Sequence, residues 1–177
     1  MELFDLYDNM RRPLDQTMVR GTATPVGCYR LVVHISIFNS KGELLIQQRQ
    51  SFKDDWQNMW DLSVGGSVTT GETSQTGAER ELLEELGVAA YLQDKAPDLT
   101  ITFNGGFDDH YILHRDLDIA DLRLQYEEVQ AAKWATREEV LSMIDSGAFI
   151  PYHKSLIELL FFRSQNPGCM RTRRKDT

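Results

Sequence analysis

The chain predicts an α/β fold in which helices pack against a central mixed sheet, and three observations carry that expectation. Tyr29 to Phe38, YRLVVHISIF, is dense in β-branched and aromatic residues and reads as a buried strand. Thr73 or Ser74 is a natural cap for a helix running to Leu86, with Gly87 placed to stop it. Strand-like and helix-like stretches then alternate along the chain, which favours helix layers on a sheet over all-α or all-β packing.

Residues 1–28 read as an extension, polar and punctuated by Pro13, Gly21, Pro25 and Gly27. The domain proper is expected over 29–165, with 166–177 as a basic tail. After the first strand, Asn39-Ser40-Lys41-Gly42 has the chemistry of a turn, and Glu43 to Arg49, ELLIQQR, reads as the returning strand of a hairpin. A loop, SFKDDWQNMW, leads to the short stretch Asp61 to Val64 and into Gly65-Gly66. If DDWQNMW were helical, Trp56 and Trp60 would share a face and, with Phe52 and Phe107, could stack on a base. Core or lid packing is the plainer use of such residues. Leu99 to Phe103 and His110 to His114 are expected as strands about a turn at Asn104-Gly105-Gly106, and Val129 to Trp134 as another. Thr136-Arg137-Glu138-Glu139 is a capping box opening a helix to about Ser146. A last helix, roughly His153 to Arg163, has Leu156, Leu159 and Leu160 at helical spacing.

At 177 residues there is room for one full domain. A net charge of −8 argues against a nucleic-acid partner, because counterion release needs clustered Lys and Arg. The one basic cluster, Arg171-Thr172-Arg173-Arg174-Lys175, lies at the extreme C-terminus, where a solvated end is the default. No apolar run approaches the roughly 20 residues that span a bilayer, so no membrane partner is expected. The acidic start MELFDLYDNMRR has neither a basic nor an apolar signal region. Cys28 and Cys169 form no C-x-x-C pair and are expected as reduced thiols in a cytoplasmic setting. His34, His110, His114 and His153 show no metal-ligand spacing among themselves, so structural or surface roles are expected of them. The oligomeric state is left open, a homodimer included.

The helix that starts at Thr73 raises the chemical question. At 100° per residue Glu81, Glu84 and Glu85 fall in one arc of roughly 100°, with Arg80 at its edge. Leu82, Leu83 and Leu86 fill a separate arc expected to face the core. Glu81 and Glu85 are a like-charge i,i+4 pair in the C-terminal half of the helix, where the helix dipole also disfavours anions. A solvated acidic face and a divalent-ion site both account for this pattern. The preceding loop adds weight to the second, since Gly65-Gly66 lets a backbone carbonyl turn toward the same ion. Hard cations such as Mg²⁺ sit readily between carboxylates and a substrate phosphate.

From Gly66 to Val88 the chain resembles the Nudix box at every defined position, namely Gly66, Glu72, Arg80, Glu81, Leu82, Glu84, Glu85, Gly87 and Val88. The box covers 23 residues, and the flanking pattern is similar to a Nudix domain over about Tyr29 to Arg163. The resemblance implies a Nudix-type α/β/α sandwich with a central mixed sheet and a catalytic loop-helix-loop. It implies hydrolysis of the phosphoanhydride bond in a small-molecule diphosphate, a nucleoside diphosphate linked to another moiety, with Mg²⁺ or Mn²⁺ as cofactor. By position, Glu84 and Glu85 would be metal ligands, with the carbonyl of Gly65 as a third. Glu81 would be a further ligand, or the group that positions or deprotonates water. Arg80 would orient Glu81 or Glu72, and Glu72 would brace the loop against the helix. The family often adds one acid from a later loop, for which Glu127 and Glu128 are the candidates and Asp108 and Asp109 the rivals. Arg49 is placed either to reach a substrate phosphate or to end its strand at the surface.

Outside the box, DLYDNMRRP, HISIFNSKGELLIQQR and WDLSVGG resemble the branch that holds isopentenyl-diphosphate isomerases and their hydrolase-like relatives. Isomerases of that branch need a cysteine just before the box, where this chain has Gly65, and their boxes are typically eroded, whereas this one is intact. Both departures favour hydrolysis. An isomerase-like enzyme and a catalytically silent Nudix-fold ligand sensor are the alternatives.

Overall fold

A computed structural model describes residues 2–166 and residue 168; Cys169 and the run Arg171 to Lys175 lie outside the described residues. Strands β1 (Leu3–Tyr7) and β2 (Pro13–Val19) form an antiparallel hairpin of their own. The main sheet follows, with β3 (Arg30–Phe38), β4 (Leu44–Arg49), β5 (Trp60–Asp61), β6 (Val64–Ser67), β7 (Leu99–Phe103), β8 (Gly106–His114) and β9 (Val129–Ala135). Its helices are α1 (Ser74–Leu86), α2 (Arg137–Ser146) and α3 (Lys154–Gln165). Strand β3 is the centre of the sheet. It runs parallel to β8 along its whole length, antiparallel to β6 from Val32 to Ile35, and meets β4 at Phe38. Strand β4 pairs with β5 and β9, and β7 closes the other edge against β8. The sheet is therefore mixed, as expected.

Alternation along β3 builds two cores. Leu31, Val33, Ile35 and Ile37 point to the side covered by α1, where they meet Ala78, Leu82 and Leu86. Phe38 points the other way, with Ile112 of β8, into a core closed by Val140 of α2 and by Ile157 and Leu160 of α3. Helix, sheet, helix is the resulting order of layers. The caps act where the sequence puts them. Thr73 accepts from the amide of Thr76, Gly87 takes the left-handed conformation at φ 70°, and Thr136 with Glu139 forms a reciprocal box. Among the described residues no helix is long and apolar enough to cross a membrane.

Two expectations are corrected. Residues 1–28 are not merely a polar extension, because the β1–β2 hairpin buries Phe4, Leu6 and Met18 in a small core. Pro13, read as a breaker, is the first residue of β2, an edge position that needs no ladder donor. The hairpin is fastened to the rest of the fold. Tyr7 and Tyr29 exchange backbone hydrogen bonds, Thr70 donates its amide to Leu3, and Gly71 donates its amide to the Asp5 carboxylate. Arg11 forms an ion pair with Asp109 of β8. The second correction is DDWQNMW, which is not helical. Trp56 and Asn58 have φ of 55° and 58°, so the chain turns there instead of presenting Trp56 and Trp60 on one face. Phe107, also weighed for base stacking, is buried in the α1-side core.

Candidate active site

The two glycines of β6 face opposite ways. Gly66 is opposite Val33 and looks toward α1, where any Cβ would collide with the carboxyl group of Glu81. Gly65 is opposite His34 and looks to the α3 side, where a Cβ would lie 2.8 Å from Cδ2 of the His34 ring. Each glycine is required by a different neighbour.

Between β6 and α1 the loop is held by one carboxylate. Glu72 accepts from the Thr69 amide at 2.8 Å and from Nε of Arg80 at 2.7 Å, and Arg80 also donates to the Ser67 carbonyl at 3.0 Å. Burial pushes the Glu72 carboxyl up, but the Arg80 guanidinium and the Thr69 amide outweigh it and hold it below the usual range. Arg80 reaches onward to Glu81 at 2.9 Å and Glu84 at 3.1 Å, so one guanidinium ties loop to helix and orients two box acids.

Helix α1 packs on the sheet through Ser74, Gly77, Ala78, Leu82, Glu85 and Leu86. The packed stripe is rotated from the expected one. Leu83, expected in the core, is 57% exposed, while Glu85 is only 4% exposed. Small residues at 77 and 78 let this side approach the sheet, and that approach brings Glu81 and Glu85 along its edge. Burial pushes Glu81 up to about 7, against the pull of Arg80. Burial, with Glu81, Glu128 and Asp61 nearby, raises Glu85 well above the ordinary carboxylate range. Its partner is the Gln47 side-chain amide, which donates at 2.9 Å.

The direction of these shifts fixes a stability profile. Glu81 titrates near 4.5 in ordinary surroundings and about 7 when folded, so the folded chain holds an extra proton between those values. That stabilisation is complete below pH 4.5 and is lost as pH rises through 7, an effect on the order of 3 kcal/mol for this carboxyl. In EDTA, the denaturant-derived stability is expected to fall between pH 5 and 8, with a shallower fall in Glu81→Gln. A flat profile in the unsubstituted protein would contradict the burial argument.

Glu81 and Glu85 open onto a cleft of about 480 Å³ that Gly65, Gly66, Ser67, Arg49 and Glu128 also line. Glu128 is held by Lys53, with Nζ–O distances of 2.6 and 2.7 Å. Arg49 sits in the wall with its Nε 3.3 Å from the Asp55 carbonyl. Glu84 and Glu127 are exposed and outside the lining, Glu84 turned to the outer side of Arg80. The rival acids are elsewhere. Asp109 is committed to Arg11, Ser74 and Thr100, and Asp108 lies on the opposite sheet face. Sequence reasoning missed three cations in the same wall, Arg20, Arg30 and Lys53. Arg30 donates to Ser67 Oγ at 2.9 Å and lies over the Phe4 and Phe103 rings, so its place depends on the hairpin and on β7. Only the position of Lys53, four residues beyond Arg49 in a charged loop, offered a sequence signal.

A sequence model of the NUDIX domain matches residues 29–158. The chain belongs to the Nudix family. An uncharacterized Nudix hydrolase of Listeria monocytogenes is 45% identical over 152 residues, covering 86% of this chain and 90% of that protein. A crystal structure from Deinococcus radiodurans is similar at a TM-score of 0.70 and 28% identity, over 90% of this chain and 97% of that one. An isopentenyl-diphosphate Delta-isomerase of Serratia proteamaculans is 35% identical over 91 residues, which is 51% of this chain and 49% of that protein. As a Nudix hydrolase, this protein is an enzyme that acts on diphosphate bonds. A Cβ at residue 65, where the resemblance puts an isomerase's cysteine, would lie 2.8 Å from the His34 ring.

Proposed function

We propose that this Nudix hydrolase uses Mg²⁺ or Mn²⁺ to cleave the phosphoanhydride bond of a nucleoside diphosphate linked to another moiety. The observation that carries the reading is the composition of the cleft. Glu81, Glu85 and Glu128, with Asp54 and Asp55, share the lining with Arg20, Arg30, Arg49 and Lys53 beside the Gly65-Gly66 backbone. The donors fit a hard divalent ion, being all oxygen, with two carboxyls that burial disfavours as lone anions and a buried Gln47 Oε1 that has no hydrogen-bond partner. Glu85 and the Gly65 carbonyl would hold the ion, with Glu128 contributed by the turn before β9 and Glu81 left beside it to act on water. When bound, such an ion neutralises phosphate oxygens and makes water a better nucleophile.

The chain's own residues supply the rest. Arg30 and Arg49 bind and orient the phosphates. Glu81, oriented by Arg80 at the edge of the cleft, takes the proton of the attacking water. Arg80 holds Glu81 at its post, and Glu84 acts through Arg80 without touching the substrate. Phe4, Met18, Arg20 and Gly21 form part of the cleft wall, so residues 1–28 belong to the working site. Phe52, next to Lys53 in sequence, and Tyr126, two residues before Glu128, are exposed rings with centroids 5.7 Å apart and offer an aromatic surface suited to a nucleobase.

A metal-supplemented panel of nucleoside di- and triphosphates, nucleotide sugars and dinucleotides, read by product mass, tests this. Phosphate- or pyrophosphate-bearing products are expected with Mg²⁺ or Mn²⁺ and none in excess EDTA. Full turnover in EDTA would remove the ion from the mechanism. Tight binding without turnover would make the protein a sensor, and double-bond migration in isopentenyl diphosphate would make it an isomerase.

A further inference from the structure

The sheet face opposite α1 holds a second constellation. His34 of β3 is in register with His110 of β8, their rings stacked with centroids 5.2 Å apart, and Asp108 stands two residues before His110 on the same face. Asp108 Oδ1 lies 2.7 Å from His34 Nδ1 and Oδ2 lies 3.2 Å from His110 Nε2. One donor atom from each of the three residues falls within 4.8 Å of the others. We propose that His34, Asp108 and His110 bind a divalent transition-metal ion of the Zn²⁺ class, at a site separate from the glutamate cleft.

Four observations support the site. The first is His110 itself, which is 0% exposed and makes no hydrogen bond through either ring nitrogen among the described residues. A fully buried imidazole pointed at a carboxylate without hydrogen-bond alignment is an unsatisfied group that a cation would satisfy. The second is the tautomer of His34. Tyr152 donates its hydroxyl proton to Asp61 at 2.8 Å, so Nε2 of His34, 3.1 Å from the Tyr152 oxygen, must be the donor in that contact. Nδ1 then faces the Asp108 carboxylate at 2.7 Å, so a positive charge belongs between them, either the proton that Asp108 favours on His34 or a metal ion in its place. The chain Asp61–Tyr152–His34 is the kind of outer support that orients an imidazole ligand. The third is spacing. Tetrahedral donors with bonds of about 2.1 Å are about 3.4 Å apart, near the 3.2 Å from Asp108 to His110 and reached from the 2.7 Å to His34 by a small side-chain movement. The fourth is donor type, since two imidazoles and one carboxylate suit zinc, cobalt or nickel better than magnesium.

Access comes from outside the sheet. Asp108 reaches the floor of an apolar groove of about 620 Å³ walled by Leu99, Ile101, Phe103, Leu156 and Leu159. With three protein ligands, a position remains open toward that groove.

The test uses Co²⁺ alone as the probe, in Glu81→Gln/Glu85→Gln protein whose glutamate cleft is disabled, so its result is independent of hydrolysis. One Co²⁺ per chain is expected, with the visible absorption of a nitrogen-ligated site, displaced by Zn²⁺ and not by Mg²⁺. Tyr152→Phe should weaken binding about tenfold, and Asp108→Asn or His34→Gln should remove the absorption. Because His110 is fully buried, it is followed in the unsubstituted protein by the ¹⁵N resonances of its imidazole during Zn²⁺ titration. His34 and His110 should shift while His114 and His153 do not. A spectrum identical to aqueous Co²⁺, or imidazole resonances unmoved by Zn²⁺, overturns the site.

Discussion

Turnover by the Glu85→Gln protein is expected to fall by about three orders of magnitude while the fold persists, the scale of losing a catalytic charge from a dry site. The side chain keeps its length and its place on the packed stripe of α1. Gln47 now donates to Glu85 and leaves its own Oε1 without a partner. A glutamine at 85 can donate to that oxygen, so the pair gains a bond as the charge is removed. The denaturation midpoint above pH 7 should therefore hold or rise, because burial raises the Glu85 carboxyl and disfavours its anion. Glu84→Gln provides the contrast. Its carboxyl is exposed and touches the site only through Arg80, so a smaller loss is expected. Equal activity of Glu85→Gln and the unsubstituted protein, in a panel of metals, would remove Glu85 from the reaction.

The second large effect is expected at Gly66→Ala. The new methyl group would meet the Glu81 carboxyl and Cγ, so this side chain, and not the backbone, must give up its place beside Arg80. Activity should drop about a hundredfold, the size of a misplaced general base, with a stability change below about 1 kcal/mol. At Gly65 the obstacle is instead the His34 ring at 2.8 Å, which cannot swing away from Asp108 and Tyr152. Gly65→Ala should therefore cost about 1–3 kcal/mol of stability, as overpacking does. Steady-state kinetics and urea midpoints of the two proteins separate the roles, and equal stability losses at both positions would refute the opposed facing of the two glycines.

What was legible in the sequence is what lies within one helix or one turn. The box spans a single loop and helix, so its spacing survives in the linear string, and the caps Thr73, Gly87 and Thr136 follow from local chemistry. The rotation of α1 that buries Glu85 and exposes Leu83 was not legible, because it depends on Gly77 and Ala78 meeting the sheet. The meeting of His34 with His110 was hidden for the same kind of reason. They touch through the parallel pairing of β3 and β8, and nothing in either segment names the other. Arg30 likewise acquires its place from Phe4, Phe103 and Ser67, which come from three separate stretches of chain.

The pairing of β3 with β8 also bears on how the protein is made. A parallel pair cannot be closed by a tight turn, and here the register partners His34 and His110 are separated by the whole of β4 to β7 and α1. At a synthesis rate of about 5–20 residues per second, the central strand waits roughly 4–15 s for its main partner to be made. Through that interval Val33, Ile35 and Ile37, which end up fully covered, have only β4, β6 and α1 to shelter them. The β1–β2 hairpin can meet Tyr29, Thr70 and Gly71 earlier, but its Arg11 engages Asp109 only once β8 exists. Glu128 of the cleft is made later still, so a nascent chain of this protein has a complete box before it has a complete site.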